Sequence, residues 1–260
     1  MSATPREPYL SVTVGATAEE VWRALRDPDE IVRWFGWEYP GIEDEIALIF
    51  HGEVGEGVDL PEAIDTEIEV DDEARTLRTG PHRISVEATG DGATVRVTRV
   101  MDVGDAGWEA FHSQIDAIEE GWRTFFHQLA FAIDHHPGQP RRTVFGMGLL
   151  PGPDPLATLG FGPALATPVG ERYEVTTAPG DTIGGTVWFR SDHQVGLTVD
   201  AWGDGLLVAA AVPGGTDEAT TAMTIASTYG LDDEALAALE ARWSTWWETH
   251  ALAPPEDPAG

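Results

Sequence analysis

The sequence predicts an α+β protein in which an antiparallel sheet closed by a long C-terminal helix occurs twice in tandem. Three observations carry that reading. Residues 107–136 hold the longest helical pattern, with Trp108, Phe111, Ile115, Ile118, Trp122, Phe125, Leu129 and Ile133 at spacings of three and four. Short alternating runs separated by Gly, Asp and Pro turns precede it, as in a half-buried meander. A second tryptophan-rich helical pattern closes the chain at 232–250, where Trp243, Trp246 and Trp247 echo Trp122, Phe125 and Phe126.

In chain order, 1–8 read as a loose lead-in and 10–14 as a first strand. Thr17 with Glu20 three residues on forms a capping box for a short helix whose apolar side is Val21, Trp22 and Leu25. Asp27, Pro28 and Asp29 break it and open a second helical piece reaching Phe35. Strands are predicted at 45–51, 63–70, 75–79, 82–89 and 93–103. On the long helix Asp116, Glu119, Glu120, Arg123 and Gln128 fall on the polar side, and Pro137 and Gly138 end it. The second half reads as strands at 143–150, 172–177, 185–190, 194–202, 206–212 and 221–229, with one helical turn at 156–159 inside a Pro- and Gly-rich stretch. The run 85–92 can be laid on 198–205, since both end in Gly-Asp-Gly, although that turn is common. A boundary near 138 gives domains 1–138 and 139–260.

The net charge of −30 disfavours phosphate backbones and anionic membranes, so neither nucleic acid nor membrane is an expected partner. The acids are spread along the chain, which suits a solvated surface; attraction of a cationic partner is the other reading. With no cysteine, thiol catalysis and disulfides are excluded. All 15 basic residues are arginine, so Schiff-base chemistry and a phosphate-loop lysine are excluded too. No signal peptide or membrane-length run is seen, and a cytoplasmic location is expected.

The eight histidines show no metal-ligand spacing, and neither a metal nor a cofactor is expected. Glu69, Glu87 and Asp200 are strand carboxylates that could face a cavity. In the hairpin carrying Arg83, Arg96 and Arg99, Arg99 shares the parity of Val95 and Val97. Facing inward, it could anchor a carboxylate or enolate oxygen. The bland reading of these arginines is an outward set that balances acids. Ten tryptophans exceed an ordinary core, and some suit a pocket for flat apolar ligands.

Residues 12–15, the helix from Ala18 to Pro28 with Val21, Trp22 and Leu25, and Trp34-Phe35-Gly36 resemble the opening of an Hsp90-ATPase-activator-like domain. That family belongs to the START/Bet v 1-like helix-grip superfamily, SRPBCC. Gly121-Trp122 followed by Leu129 is similar to the family's closing helix, so the resemblance spans 10–136. The second half resembles the family only from Arg172 onward and lacks the opening-helix pattern, as a degenerate copy would. The resemblance implies a curved antiparallel sheet gripping the long helix, with a cavity between them for a small hydrophobic or aromatic molecule. Trp122, Phe125 and Leu129 would form the helix wall, Trp34 and Trp37 the mouth, and Arg83 and Arg99 the hairpin side. No catalytic residue is assigned, which favours binding over catalysis. The alternatives are a polyketide-cyclase-like enzyme using the same pocket and a chaperone-associated module with a protein partner. No oligomeric state can be read.

Overall fold

In the computed structural model, which describes residues 7–54, 68–100 and 115–253, the first alternating run becomes β1 (Leu10–Val14), burying Leu10, Val12 and Val14. Thr17 then caps α1 (Ala18–Arg26). Its hydroxyl accepts from the Glu20 amide at 3.3 Å while Glu20 Oε2 accepts from the Thr17 amide at 2.9 Å. Asp27 caps α2 (Pro28–Ile31), with proline in its first turn where no amide donor is needed.

The strand predicted at 45–51 is instead helical. Here α3 (Ile42–Ile46) runs directly into a π-helical turn, Ala47–His51. Ile42, Ile46 and Phe50 are buried at a spacing of four. That is helical periodicity, and the continuous apolar run 46–50 masked it.

The first sheet contains β1, β2 (Ile68–Asp71), β3 (Thr76–Thr79), β4 (His82–Thr89) and β5 (Gly92–Arg99). It is antiparallel throughout, in the order β1-β5-β4-β3-β2. The long helix, α4 (Ile115–His135), lies against it. Residues 63–67, 101–103 and 107–114, with Trp108, Phe111 and His112, lie outside the described residues. The Gly15 amide donates to Asp134 Oδ1 at 2.7 Å, tying the exit of β1 to the last turn of α4.

Ile115, Trp122 and Leu129 of the predicted stripe are buried, but the buried side of α4 extends beyond it. Phe126, Gln128 and Phe131 are buried, whereas Ile118, Phe125 and Ile133 are half-exposed. Gln128, expected on the polar face, donates from Nε2 to the Trp34 carbonyl at 2.8 Å and the Gly36 carbonyl at 3.3 Å. The 34–36 segment packs on that flank and draws it inward. His136, just past the last turn of the helix, is also buried, packed on Phe131.

The chain divides into two compact units, Met1–Gln139 and Pro140–Gly260. In the second, β6 (Arg142–Pro151) is followed by α5 (Pro155–Thr158) and α6 (Gly162–Ala166), two short helices where one turn was expected. Then come β7 (Arg172–Thr176), β8 (Thr182–Arg190), β9 (Gln194–Val199), β10 (Gly205–Ala211), β11 (Ala219–Thr228) and α7 (Asp233–His250). The antiparallel order is β6-β11-β10-β9-β8-β7. Asp200–Trp202, predicted as strand, forms a 3-10 turn.

Trp247 of α7 rests on β6. A Cβ at Gly146 would lie 1.9 Å from its indole nitrogen, so only glycine admits the ring. The two Gly-Asp-Gly turns are not equivalent. In the first unit it joins β4 to β5, the strand pairing with the sheet's first strand. In the second it leads into β10, one strand further from β6. Among the described residues no helix is long and apolar enough to cross a membrane.

The Gly15–Asp134 tie has a measurable consequence. Asp134→Ala is expected to lower stability by about 1–2 kcal/mol in urea unfolding, the usual range for a hydrogen bond to a charged group at a partly exposed site. No change in midpoint would show that α4 is held without this contact.

Candidate functional site

The helix side of the first sheet is occupied by aromatic rings. Phe126 is stacked against both Trp34, with centroids 5.9 Å apart, and Trp122, at 5.4 Å. Phe50 meets Trp34 and Trp122 edge-on, and Phe35 meets Phe125 at 4.6 Å. Trp34 is further held by its indole N–H, which donates to the Ala24 carbonyl at 2.8 Å.

A polar group adjoins this cluster where β1, β5 and β4 end together. His82 pairs with Arg99 in register across β4 and β5, and the Tyr9 amide extends β1 by donating to the Val97 carbonyl at 3.1 Å. The Tyr9 and His82 rings meet edge-on at 5.9 Å, and His82 touches Trp122 at 6.2 Å. Arg99 Nε donates to Glu119 Oε1 at 2.7 Å, so the strand end is bound to the helix.

Two atoms in this group, Tyr9 Oη and His82 Nε2, are buried without a hydrogen-bond partner among the described residues. His82 is only 2% exposed. Burial, reinforced by the nearby Arg99 charge, pushes its pKa down to about 4, so the ring is neutral at neutral pH. Burial, with the Glu119 charge beside it, pushes the Tyr9 hydroxyl well up and keeps it protonated. Burial also raises the Glu119 carboxyl, against the opposing pull of Arg99. The group therefore offers a neutral imidazole, a phenolic hydroxyl and a guanidinium beside an apolar aromatic wall.

Of the residues singled out from sequence, Trp34, Trp122 and Phe125 come together in the aromatic cluster, and Arg99 joins its polar edge. Leu129 is fully buried in the core. Trp37 is half-exposed and packs on Tyr39 at 5.9 Å, and Arg83 is exposed beside Arg78. Glu69 is paired with Arg78, Glu87 with Arg96 and Asp200 with Arg172, all on exposed surface.

Sequence reasoning missed Tyr9, His82, Glu119, Phe50 and Phe126. Strand parity could have found His82, which alternates with Ile84 and Val86 on the buried face. Tyr9 precedes β1 out of phase with Leu10 and Val12, so alternation would place it outside.

The tryptophans of the second unit are engaged in packing. Trp243 meets Trp202 edge-on at 6.3 Å and donates to Asp181 at 3.0 Å, a carboxylate that also takes two bonds from Arg242. Among the described residues no group of three His, Asp or Glu side chains could hold a metal ion.

No protein-family model matches the chain, and no curated protein matches it. Among solved structures it is similar to the di-domain ARO/CYC BexL from the BE-7585A biosynthetic pathway, at 14% identity and a TM-score of 0.33. The likeness covers 97% of this chain and 100% of that one. A likeness of this size assigns no chemistry to the chain.

His82 makes stability pH-dependent with a definite sign. Its folded pKa lies below the unfolded value of 6.5, so only the unfolded state binds the proton between pH 6.5 and 4. Acidification through that window should cost about 3 kcal/mol, and His82→Phe should remove that share of the slope. His127, pushed down to about 3 by burial, keeps contributing in both proteins. Equal pH slopes in urea titrations of the two would refute a buried neutral His82.

Proposed function

We propose that the first unit is a helix-grip binding domain for a small, largely apolar molecule carrying one hydroxyl or carbonyl oxygen. The body of the ligand lies against the α4 aromatic wall at Trp122, and its oxygen is taken by Tyr9 and His82. The observation that carries this reading is that Tyr9 Oη and His82 Nε2, on rings in contact, are buried with no partner among the described residues. Each such atom costs about 1–3 kcal/mol, and most buried polar atoms in native structures are bonded. A ligand hydroxyl can donate to a neutral imidazole nitrogen and accept from the Tyr9 hydroxyl, satisfying both. The shared order of first strand, short helices, meander and closing helix supports reading 1–138 and 139–260 as two such domains, the second rebuilt.

The test is calorimetric titration of the full chain with 1-naphthol, a flat apolar probe with a single hydroxyl. Saturable binding is expected, weakened about tenfold by Tyr9→Phe and by His82→Phe, as loss of one buried hydrogen bond implies. Affinity unchanged in both variants would exclude these residues from the site.

A second reading is favoured by the neutral His82 lying beside the charged Arg99. A base next to a guanidinium can remove a proton α to a carbonyl while the cation holds the enolate oxygen. A cyclase-like enzyme of this kind should accelerate deuterium exchange between the carbonyls of 1-phenyl-1,3-butanedione, followed by NMR. The acceleration should vanish in both Arg99→Gln and His82→Phe; exchange at the buffer rate in the unsubstituted protein would leave binding as the activity.

A further inference from the structure

A concavity in the first unit lies away from the Tyr9–His82 group. It is a cleft of about 380 Å³ between α1, the turn that follows α2, and the end of α4 with its exit turn. That volume is in the range of small-ligand sites. Its apolar walls are Ala24, the Trp34 edge, Ala132, Ile133 and Pro137.

Two guanidinium groups border these walls. Among the described residues Arg23 makes no hydrogen bond or ion pair with its side chain. Arg33 is held by Glu30 at 3.5 Å, beyond normal hydrogen-bond length. A Cβ placed on Gly138 would lie 4.0 Å from Arg33 Nη1, so Arg33 reaches the exit turn on the far side.

The acids in the cleft are less available than the arginines. Glu20 Oε2 is engaged by both the amide and the hydroxyl of Thr17 in the capping box. Glu30 lies alongside Arg33 and leaves most of its donors open. The end of α4 would repel an anion through its unpaired carbonyls. However, the Ala132 carbonyl accepts from the His136 amide and the His136 carbonyl from the Gln139 amide, both at 3.0 Å. Asp134 flanks the cleft beside Ile133, with Oδ1 engaged by the Gly15 amide, and acids farther than about 8 Å are screened at physiological salt.

We propose that this cleft is a second, independent ligand site, selective for a small aromatic carboxylate. The two arginines clamp the carboxylate by charge-assisted bonds, and the ring lies on the apolar walls. A neutral ring of the same size gains only the wall contacts.

The test compares 2-naphthoate with 2-naphthalenemethanol by calorimetry at 0.15 M salt on the full chain carrying Tyr9→Phe and His82→Phe, because the alcohol would otherwise also engage the Tyr9–His82 group. Naphthoate is expected to bind at least tenfold tighter. The double variant Arg23→Gln, Arg33→Gln should abolish that advantage while leaving the alcohol's affinity and the melting temperature unchanged. Both side chains lie at the protein surface, so the fold is not at risk. Three outcomes overturn the assignment: equal affinity for the two probes, no naphthoate binding up to millimolar concentration, or tight naphthoate binding that survives the double substitution.

Discussion

The first unit depends on the clasp of Phe126 between two indoles. Trp34 stacks on it from the segment after α2 and Trp122 from its own helix one turn earlier, and the Phe126 side chain has no solvent exposure. Each such aromatic contact contributes about 0.5–1.5 kcal/mol beyond area burial, and the geometry tolerates little sliding. The clasp sets the rotation of α4 about its axis. Gln128, about 200° around the helix from Phe126, is buried on the other flank because the 34–36 segment covers it, and its amide bonds the Trp34 and Gly36 carbonyls. The same rotation turns Trp122 toward His82.

Around that clasp most of the local rules of folding agree with one another. Caps are satisfied at Thr17, Asp27, Asp154 and Asp232. Exposed pairs such as Arg78–Glu69 and Arg172–Asp200 contribute little to stability, as surface ion pairs do. Among the described residues several buried polar atoms lack a hydrogen-bond partner, and the Tyr9–His82 group brings two of them within reach of a charged pair. Sites that violate local consistency at a cost in stability are where binding or chemistry is sought first. Asp181 in the second unit shows the contrast, since its carboxylate is matched by Arg242 and Trp243 and serves packing.

The sequence by itself determined the elements whose signal is local. The capping box of α1, the hairpin from His82 to Arg99 and the two closing helices follow from spacing, turn residues and helix stops. Those are properties of neighbours within a few residues. The tertiary structure decided what depends on a choice between two locally acceptable arrangements. The run 46–50 is apolar enough for a strand, and it becomes helical because Ile42, Ile46 and Phe50 bury together on one side. Helix α4 is aromatic on two flanks, and contact with a segment about ninety residues earlier selects the flank bearing Phe126. The candidate site is legible only in part for the same reason. Arg99 and Trp122 stand out by parity and helix spacing, but Tyr9, His82 and Glu119 acquire meaning only when strand ends and helix meet. Periodicity reports which side of an element is apolar, whereas a partner distant in the chain decides which atoms lie within hydrogen-bond reach.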